Sequence, residues 1–165
     1  MAVKRDQTLH ERLIPLLVEG IGATTYLELG TFDNATISKV RCRRRIGVDK
    51  RAVRCPDVQM FEMRTDRFIE NHAKRVAPFD FVFIDADHSA ASVEADFHGI
   101  WPYVSDEGIV CLHDTNPETE KDTAPGLCGD AWRFAKRLSS TVECVTLPYH
   151  PGLTIIRKRV QWGPK

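Results

Sequence analysis

Three observations predict an α/β fold whose mostly parallel sheet is covered by helices on both faces. Short apolar, β-branched or aromatic runs alternate with helix-type segments along most of the chain. Four of these runs end in an acid, at Glu28, Asp49, Asp85 and Asp114, as parallel strands sharing one carboxyl edge would place them. The last two runs, residues 142–147 and 153–157, are joined by Pro148-Tyr149-His150-Pro151-Gly152. That joint is too short for a crossover helix, so the final pair should be antiparallel.

Each element has its own warrant. Thr8-Leu9-His10-Glu11 reads as a capping box, with Leu9, Leu13, Leu16 and Leu17 following at helical spacing until Gly20 and Gly22; Pro15 should kink or interrupt this helix. Residues 25–29 form a strand that turns at Gly30, and Asp33 or Asn34 should cap a helix toward Val40. Residues 45–49 form a buried-type strand and residues 57–61 an edge strand. Thr65 or Asp66 should cap a helix to about Val76, with Phe68, Ile69, Ala73 and Val76 inward. Residues 79–84 are the most apolar strand. Ser89 opens a helix that turns Val93, Phe97, Ile100 and Trp101 to one side. Residues 108–112 form another central strand, a long loop runs from His113 to about Cys128, and residues 131–138 are helical.

Composition removes several functional classes. Lys+Arg and Asp+Glu both number 23, so the net charge is zero and gives no reason to expect nucleic acid or an anionic membrane as partner. The one basic block, Lys39 to Arg54, reads as a solvated face. No apolar run is long enough to span a bilayer. Five cysteines without a C-x-x-C pair suit a reducing, cytoplasmic setting better than a disulfide framework or a zinc site. At 165 residues a single domain is expected, residues 1–22 forming a helical N-terminal segment and residues 23–158 the core.

The turn after residues 25–29 is organising. It lacks G-x-x-x-x-G-K-[ST] and G-x-G-x-x-G, so neither a nucleoside triphosphate loop nor a dinucleotide site is indicated. Glu28, two residues before Gly30, repels phosphate and suits a cation or amine. Asp49 ends the second strand, where an acid accepts hydrogen bonds from ribose hydroxyls. Asp85-Ala86-Asp87-His88 and His113-Asp114 offer carboxylates and imidazoles from neighbouring strands. Asp85 and Asp114 can converge on a hard divalent cation such as Mg²⁺. His88, three residues after Asp85, is the favoured general base, with His113 in reserve as base, ligand or structural contact. Strand alternation should turn His113 away from Asp114 unless the strand has already ended.

These motifs together resemble class I S-adenosylmethionine-dependent methyltransferases over nearly the whole chain. The subset is the small O-methyltransferase-like proteins with an F-I-D-G-D-H-S-Y signature, here Phe83-Ile84-Asp85-Ala86-Asp87-His88-Ser89-Ala90, and H-D-T, here His113-Asp114-Thr115. E-x-G stands at Glu28-Leu29-Gly30, G-V-D at Gly47-Val48-Asp49, and the closing G-L-x-I-I-R-K at residues 152–158. Asn34 stands where the first motif has its second glycine, and Ala90 where the signature has tyrosine. Thr115 stands where catechol-type relatives have a metal-binding Asn.

The resemblance implies a Rossmann-like, three-layer fold with a seven-stranded sheet and an antiparallel last strand. It implies S-adenosylmethionine as cofactor, with a divalent cation as a further expectation. Glu28, Gly30, Thr31 and Asp49 would hold the methionine and ribose parts, Thr65 and Asp66 the adenine, and Asp85 would lie beside the sulfonium. The expected reaction is O-methylation of a small-molecule or saccharide hydroxyl. The chain has little beyond the core, so a site open to solvent or completed by a second copy in a homo-oligomer is expected. The alternatives are a SAM-binding or scaffold protein without activity and, further off, a metal-dependent hydrolase. Gly30→Val should abolish cofactor binding, the fold surviving if the turn tolerates it.

Overall fold

The computed structural model describes residues 8–138 and 142–158. Its strands are β1 (Thr25–Leu29), β2 (Arg44–Asp49), β3 (Val58–Glu62), β4 (Phe79–Ile84), β5 (Val104–His113), β6 (Cys144–Leu147) and β7 (Leu153–Arg157). They form one seven-stranded sheet in the order β3-β2-β1-β4-β5-β7-β6. β1 to β5 pair in parallel, and β7 runs antiparallel to both β5 and β6. The Rossmann-like α/β sheet with its antiparallel last strand is therefore as expected. β1 lies between β2 and β4, and β5 beyond β4, so the acid-bearing strand ends sit side by side.

The period of two along each strand divides the side chains between two cores. Leu27, Leu29, Val82, Ile84, Val110 and Leu112 pack beneath the helices α2 (Thr65–Phe68), α3 (Lys74–Val76), α4 (Ala90–Ile100) and α5 (Ala131–Leu138). Tyr26, Phe81, Phe83 and Cys111 pack on the other face against Ile14 and Val18 of α1 (Leu9–Gly20) and against Ile37 and Val40.

Four local readings change. No α-helix follows Gly30. Asn34 takes φ +64° and the crossover to β2 keeps only one 3₁₀ turn, Ile37–Lys39. Asp33 and Asn34 are consumed in the turn: the Asp33 carboxylate accepts from Ala35 N, and Asn34 Nδ2 donates to the Val53 carbonyl. The β-branched Thr36, Ile37 and Val40 then favour the short route.

The capping box of α1 does not form. Thr8 Oγ1 lies 3.2 Å from the His10 ring nitrogens, and Glu11 Oε2 accepts from Lys39 Nζ at 2.7 Å. The helix runs on through Pro15 and buries His10, Glu11, Ile14 and Val18, leaving Leu9 and Leu16 exposed.

Arg64 stands at the N-cap position of the helix from residue 65, without a side-chain cap bond, and Thr65 and Asp66 lie inside the helix. A π-turn, Ile69–Ala73, separates α2 from α3. Residues five apart lie on different faces of an α-helix, and the extra residue of a π-turn realigns them, so Phe68 and Ala73 are both buried. Finally, β5 begins at Val104 rather than at residue 108, with Glu107 at φ +64° where its pairing with β4 shifts register.

Candidate active site

The site is built at the carboxyl ends of β1, β2, β4 and β5. Gly30 takes φ +92°, and its N–H donates to the Val48 carbonyl at 2.8 Å. Asp85 N donates to the Leu29 carbonyl at 2.8 Å, so the three strand ends are laced together by backbone bonds. A Cβ on Gly30 would come closer than 3.0 Å to the Asp85 carbonyl oxygen and Ala86 Cα. Only glycine combines this conformation with this approach. Asn34, in place of a second glycine, adopts the left-handed conformation that asparagine tolerates, and its N–H donates to Thr31 O at 2.6 Å.

Asp49 anchors the loop. Its Oδ2 accepts from Phe32 N at 2.9 Å and its Oδ1 from Arg51 N at 2.9 Å. Each carboxylate oxygen keeps acceptor capacity for a further donor from the cleft. Thr31 is buried and its hydroxyl has no partner. Thr65 lines a cavity of about 130 Å³ together with Gly30, Val48, Asp49 and Met63. Asp66 is not in that lining: its exposed carboxylate is taken by the Arg64 guanidinium at 3.0 and 3.1 Å and by Arg67 N at 2.8 Å.

Glu28 is 2 % exposed, and Tyr26 Oη donates to its Oε2 at 2.5 Å. Burial pushes its carboxyl well above the usual range, the Tyr26 bond opposes that, and the neighbouring Asp85 adds to it. An ordinary glutamate carboxyl titrates near 4.5. Above that pH the unfolded chain releases the proton first, so folding loses stability as pH rises toward the folded pKa. Glu28→Gln keeps an acceptor for Tyr26 without the ionisation. Its expected effect is greater stability than the parent at neutral pH, with a flatter dependence on pH, in denaturant unfolding. It should also lose affinity for a cationic ligand, read by calorimetry.

On the other side of Gly30 stand Asp85, His88, His113 and Asp114. Asp114 takes φ +60°, which ends β5 and returns the Asp114 side chain to the side of His113. His113 Nδ1 lies 3.0 Å from Asp85 Oδ1 and 3.4 Å from Asp114 Oδ2. Burial alone would lower the His113 pKa. Asp85 and Asp114 outweigh it and raise it to about 10. Burial raises Asp114, but His113 and His88 bring it net below the usual carboxylate range. The two carboxylates favour the imidazolium form of His113, which suits a charge partner rather than a base.

His88 differs. Its Nδ1 donates to the Leu127 carbonyl and lies 3.1 Å from Asp114 Oδ2. That fixes the proton on Nδ1 and leaves the lone pair of Nε2, 3.9 Å from Asp85 Oδ1, toward the cleft.

The cleft is continuous. A cavity of about 530 Å³ runs from Glu28, Thr31 and Asp49 to Asp85 and His88. One of about 610 Å³ continues from His88 under Thr123, Pro125 and Gly126. Ala86 lines both of these and the smaller one beside Thr65.

Two side chains at this site carried no sequence signal. His10 of α1 lines the cleft and meets the His113 ring edge-on at 4.1 Å between centroids. Burial, then the His113 charge, lowers its pKa to about 4, so it stays neutral. Tyr149, in the β6–β7 joint, has a buried hydroxyl without a partner; burial first, and then Cys111, Asp114 and Asp85, raise its pKa to about 12. Nothing in local spacing ties residues 10 and 149 to residue 113.

The model of the family described as "Methyltransferase domain" matches residues 27–115, more than half of the chain. The chain belongs to the methyltransferase-domain family. The class I S-adenosylmethionine-dependent assignment suggested by the motifs stands with it. No curated protein matches this methyltransferase by sequence.

Among solved structures, a Staphylococcus aureus protein assigned as a caffeoyl-CoA O-methyltransferase is similar at TM-score 0.72 and 16 % identity, over 94 % of this chain and 86 % of that one. The O-methyltransferase from Bacillus cereus, in complex with SAH, gives TM-score 0.68 and 16 % identity over 94 % and 84 %. MycE of the mycinamycin biosynthetic pathway, with Mg and SAH, gives 0.62 and 18 % over 86 % of this methyltransferase but 47 % of MycE. At these identities the likeness speaks for the fold. Among the described residues no helix of the methyltransferase is long and apolar enough to cross a membrane.

Proposed function

We propose that this methyltransferase transfers a methyl group from S-adenosylmethionine to a hydroxyl of a small-molecule or saccharide acceptor. The observation that carries the reading is the placement of two dissimilar half-sites on either side of Gly30. On one side lie a cavity of about 130 Å³ with Asp49 and Thr65 and, lining the cavity next to it, the buried Glu28. On the other lie His88, Asp85, His113 and Asp114.

The residues present fit the cofactor. Thr31 offers a buried hydroxyl without a partner, the Glu28 carboxyl would give up its proton beside a bound ammonium, Asp85 places negative charge where a sulfonium is attracted, and Val48, Met63 and Ala86 supply apolar wall beside Asp49. Asp66, tied to Arg64, is left out of this set. Bound S-adenosylmethionine supplies an electrophilic methyl group for in-line displacement. The chain's own residues then align and deprotonate. His88 Nε2 takes the acceptor proton, and the Leu127 carbonyl fixes the tautomer that makes this possible. Asp85 and Asp114 stabilise the resulting imidazolium. His113 neutralises part of their charge and holds Asp85 in place.

Asp85, His113 and Asp114 also offer ligand atoms within 4.8 Å of one another, two carboxylates and one imidazole, a set that suits a divalent cation. Such a cation would acidify the acceptor hydroxyl, and it competes with the proton on His113.

Asp49→Ala should weaken cofactor binding roughly 10- to 150-fold, the loss of about 1.5–3 kcal/mol for hydrogen bonds to a charged acceptor. Calorimetric titration of parent and variant reads it directly. The function itself is tested by following S-adenosylhomocysteine release with a panel of hydroxylated acceptors, for parent and His88→Ala, with and without chelator. We expect His88→Ala to lose ~10²–10⁴-fold, with the larger loss when chelator is present. Full turnover in the variant would remove His88 from the reaction. Turnover indifferent to chelator would remove the cation.

A further inference from the structure

The end of the loop that precedes α5 converges on one residue, His88. The His88 carbonyl accepts from Asp130 N and from Ala131 N, each at 3.0 Å. Gly129, at φ +56°, packs so tightly there that a Cβ would come closer than 3.0 Å to the His88 carbonyl oxygen and carbon. The His88 ring donates from Nδ1 to the Leu127 carbonyl. Asp130 then reaches past His88, its Oδ1 accepting from Ala90 N at 2.6 Å. Backbone and ring of His88 are thus held by one short stretch, residues 127–131.

The stretch is itself anchored. Leu127 N donates to Ala124 O at 3.0 Å, and Cys128 N to Asp122 O at 2.9 Å. The Leu127 carbonyl and the Cys128 N–H belong to one planar peptide unit, so fixing the N–H fixes the direction of the carbonyl. Asp122 is held in turn by Thr119, whose N and Oγ1 donate to its carboxylate at 2.7 and 2.8 Å.

Asp130 has a plain reading, as an outside acceptor for the first N–H of α4. That role needs no contact with His88, and Ser89 already caps this helix, its Oγ accepting from Ser92 N at 3.3 Å. Asp130 instead brackets residues 88–90. Its side chain ties Ala90 to the loop and its own N–H ties His88. Without the carboxylate the segment loses one of these two ties, and the ring is free to leave the Leu127 carbonyl. Reaction geometry tolerates little of this, since a shift of about 1 Å can cost ~10²-fold in rate.

We propose that Asp130 is a positioning residue for methyl transfer: its carboxylate, bonded to Ala90 N, holds residues 88–90 against the loop so that the Leu127 carbonyl keeps the His88 proton on Nδ1. The consequence for turnover rests on the methyl-transfer reading; the hold on the ring does not.

The His88 ring is the reporter. The chain has six histidines, and His88→Gln identifies the His88 ring signals in ¹⁵N–¹H spectra. At alkaline pH the parent should show the Nδ1–H tautomer alone. Asp130→Ala should let the ring exchange between tautomers, as a histidine without a fixed partner does. Asp130→Asn keeps an oxygen for Ala90 N and should restore the parent spectrum. Ser89→Ala removes a cap of α4 but no bond to His88, and should leave the ring as in the parent. With an acceptor from the panel above, Asp130→Ala should lose roughly 10- to 100-fold in turnover while binding S-adenosylhomocysteine as the parent does, and Asp130→Asn should recover most of that loss.

A parent-like ring in Asp130→Ala overturns the proposal. So does an equal change in Ser89→Ala, which would make Asp130 a cap and nothing more, or no recovery in Asp130→Asn. If the alanine variant does not unfold cooperatively, Asp130→Glu decides in its place: it keeps the charge, moves the oxygen away from Ala90 N, and should free the ring. A freed ring with unchanged turnover keeps the hold on His88 and rejects His88 as the base. Failure of the parent to bind S-adenosylhomocysteine rejects the methyl-transfer reading and leaves the tautomer result standing.

Discussion

Replacing Gly30 by alanine is expected to destabilise the protein by ~3 kcal/mol or more and to remove cofactor binding altogether. Two costs add. At φ +92° a side chain is strained, at about 1–3 kcal/mol. The new Cβ would also press on the Asp85 carbonyl oxygen and on Ala86 Cα, which are backbone atoms and cannot rotate aside. Relief requires β1 and β4 to part at their carboxyl ends, where Asp85 N donates to Leu29 O and Gly30 N to Val48 O. That motion would displace Asp85 and the walls of the cleft together. For a chain of this size the unfolding midpoint should fall by roughly 6–12 °C. Thermal unfolding and calorimetry on one preparation read both effects, and an unshifted midpoint would mean that the turn is not held as described. The effect on Gly30→Val is larger still. The collision is with a neighbouring strand and not inside the turn, so survival of the fold in Gly30→Val depends on β4 as well as on the turn.

Asp85→Asn is expected to reduce turnover by ~10²–10⁴-fold and to release His113 from its imidazolium state. Burial holds the His113 pKa down, and the charges of Asp85 and Asp114 raise it to about 10. A histidine raised above its ordinary 6.5 stabilises the fold fully below pH 6.5 and loses that contribution as pH rises toward 10. The parent should therefore lose stability across that window, and the variant should show a flatter profile. Histidine ring NMR should place the His113 midpoint well below its parent value, while Asp114 keeps it above that of a lone buried imidazole. A variant with the parent's alkaline profile and turnover would show that Asp85 neither charges His113 nor serves the reaction.

Much of the sheet was legible because its strands are continuous apolar runs. Residues 79–84 coincide with β4, and residues 25–29 with β1, because each is buried on both faces and bounded by glycine, proline or acid. The helix at residues 131–138 shows its period cleanly, with Ala131, Phe134, Ala135 and Leu138 buried.

Failures fall where a residue type has two uses. Asp33 and Asn34 are helix caps by type but turn residues in place. The leucines of α1 look like a buried stripe, yet this helix covers a polar site, so His10 and Glu11 go inward while Leu9 and Leu16 stay out. The resemblance implies Asp66 near the adenine; in the structure its exposed carboxylate is bound by Arg64, two residues earlier.

The four acids at the strand ends were visible because parallel pairing forces their proximity. The preference for His88 over His113 as base was drawn from sequence position, but the contacts that distinguish the two rings were not visible, because they depend on Asp114's positive φ and on the Leu127 carbonyl, which lies 39 residues from His88.

Calorimetric titration of the purified chain with S-adenosylhomocysteine tests the central claim most directly. We predict saturable binding at one site per chain, tighter than about 100 µM, a free energy near −5.5 kcal/mol or better. Absence of heat up to millimolar ligand, in a sample shown to be folded by its cooperative unfolding, would contradict the assignment of the cleft around Gly30 and Asp49 and the methyl-transfer reading built on it.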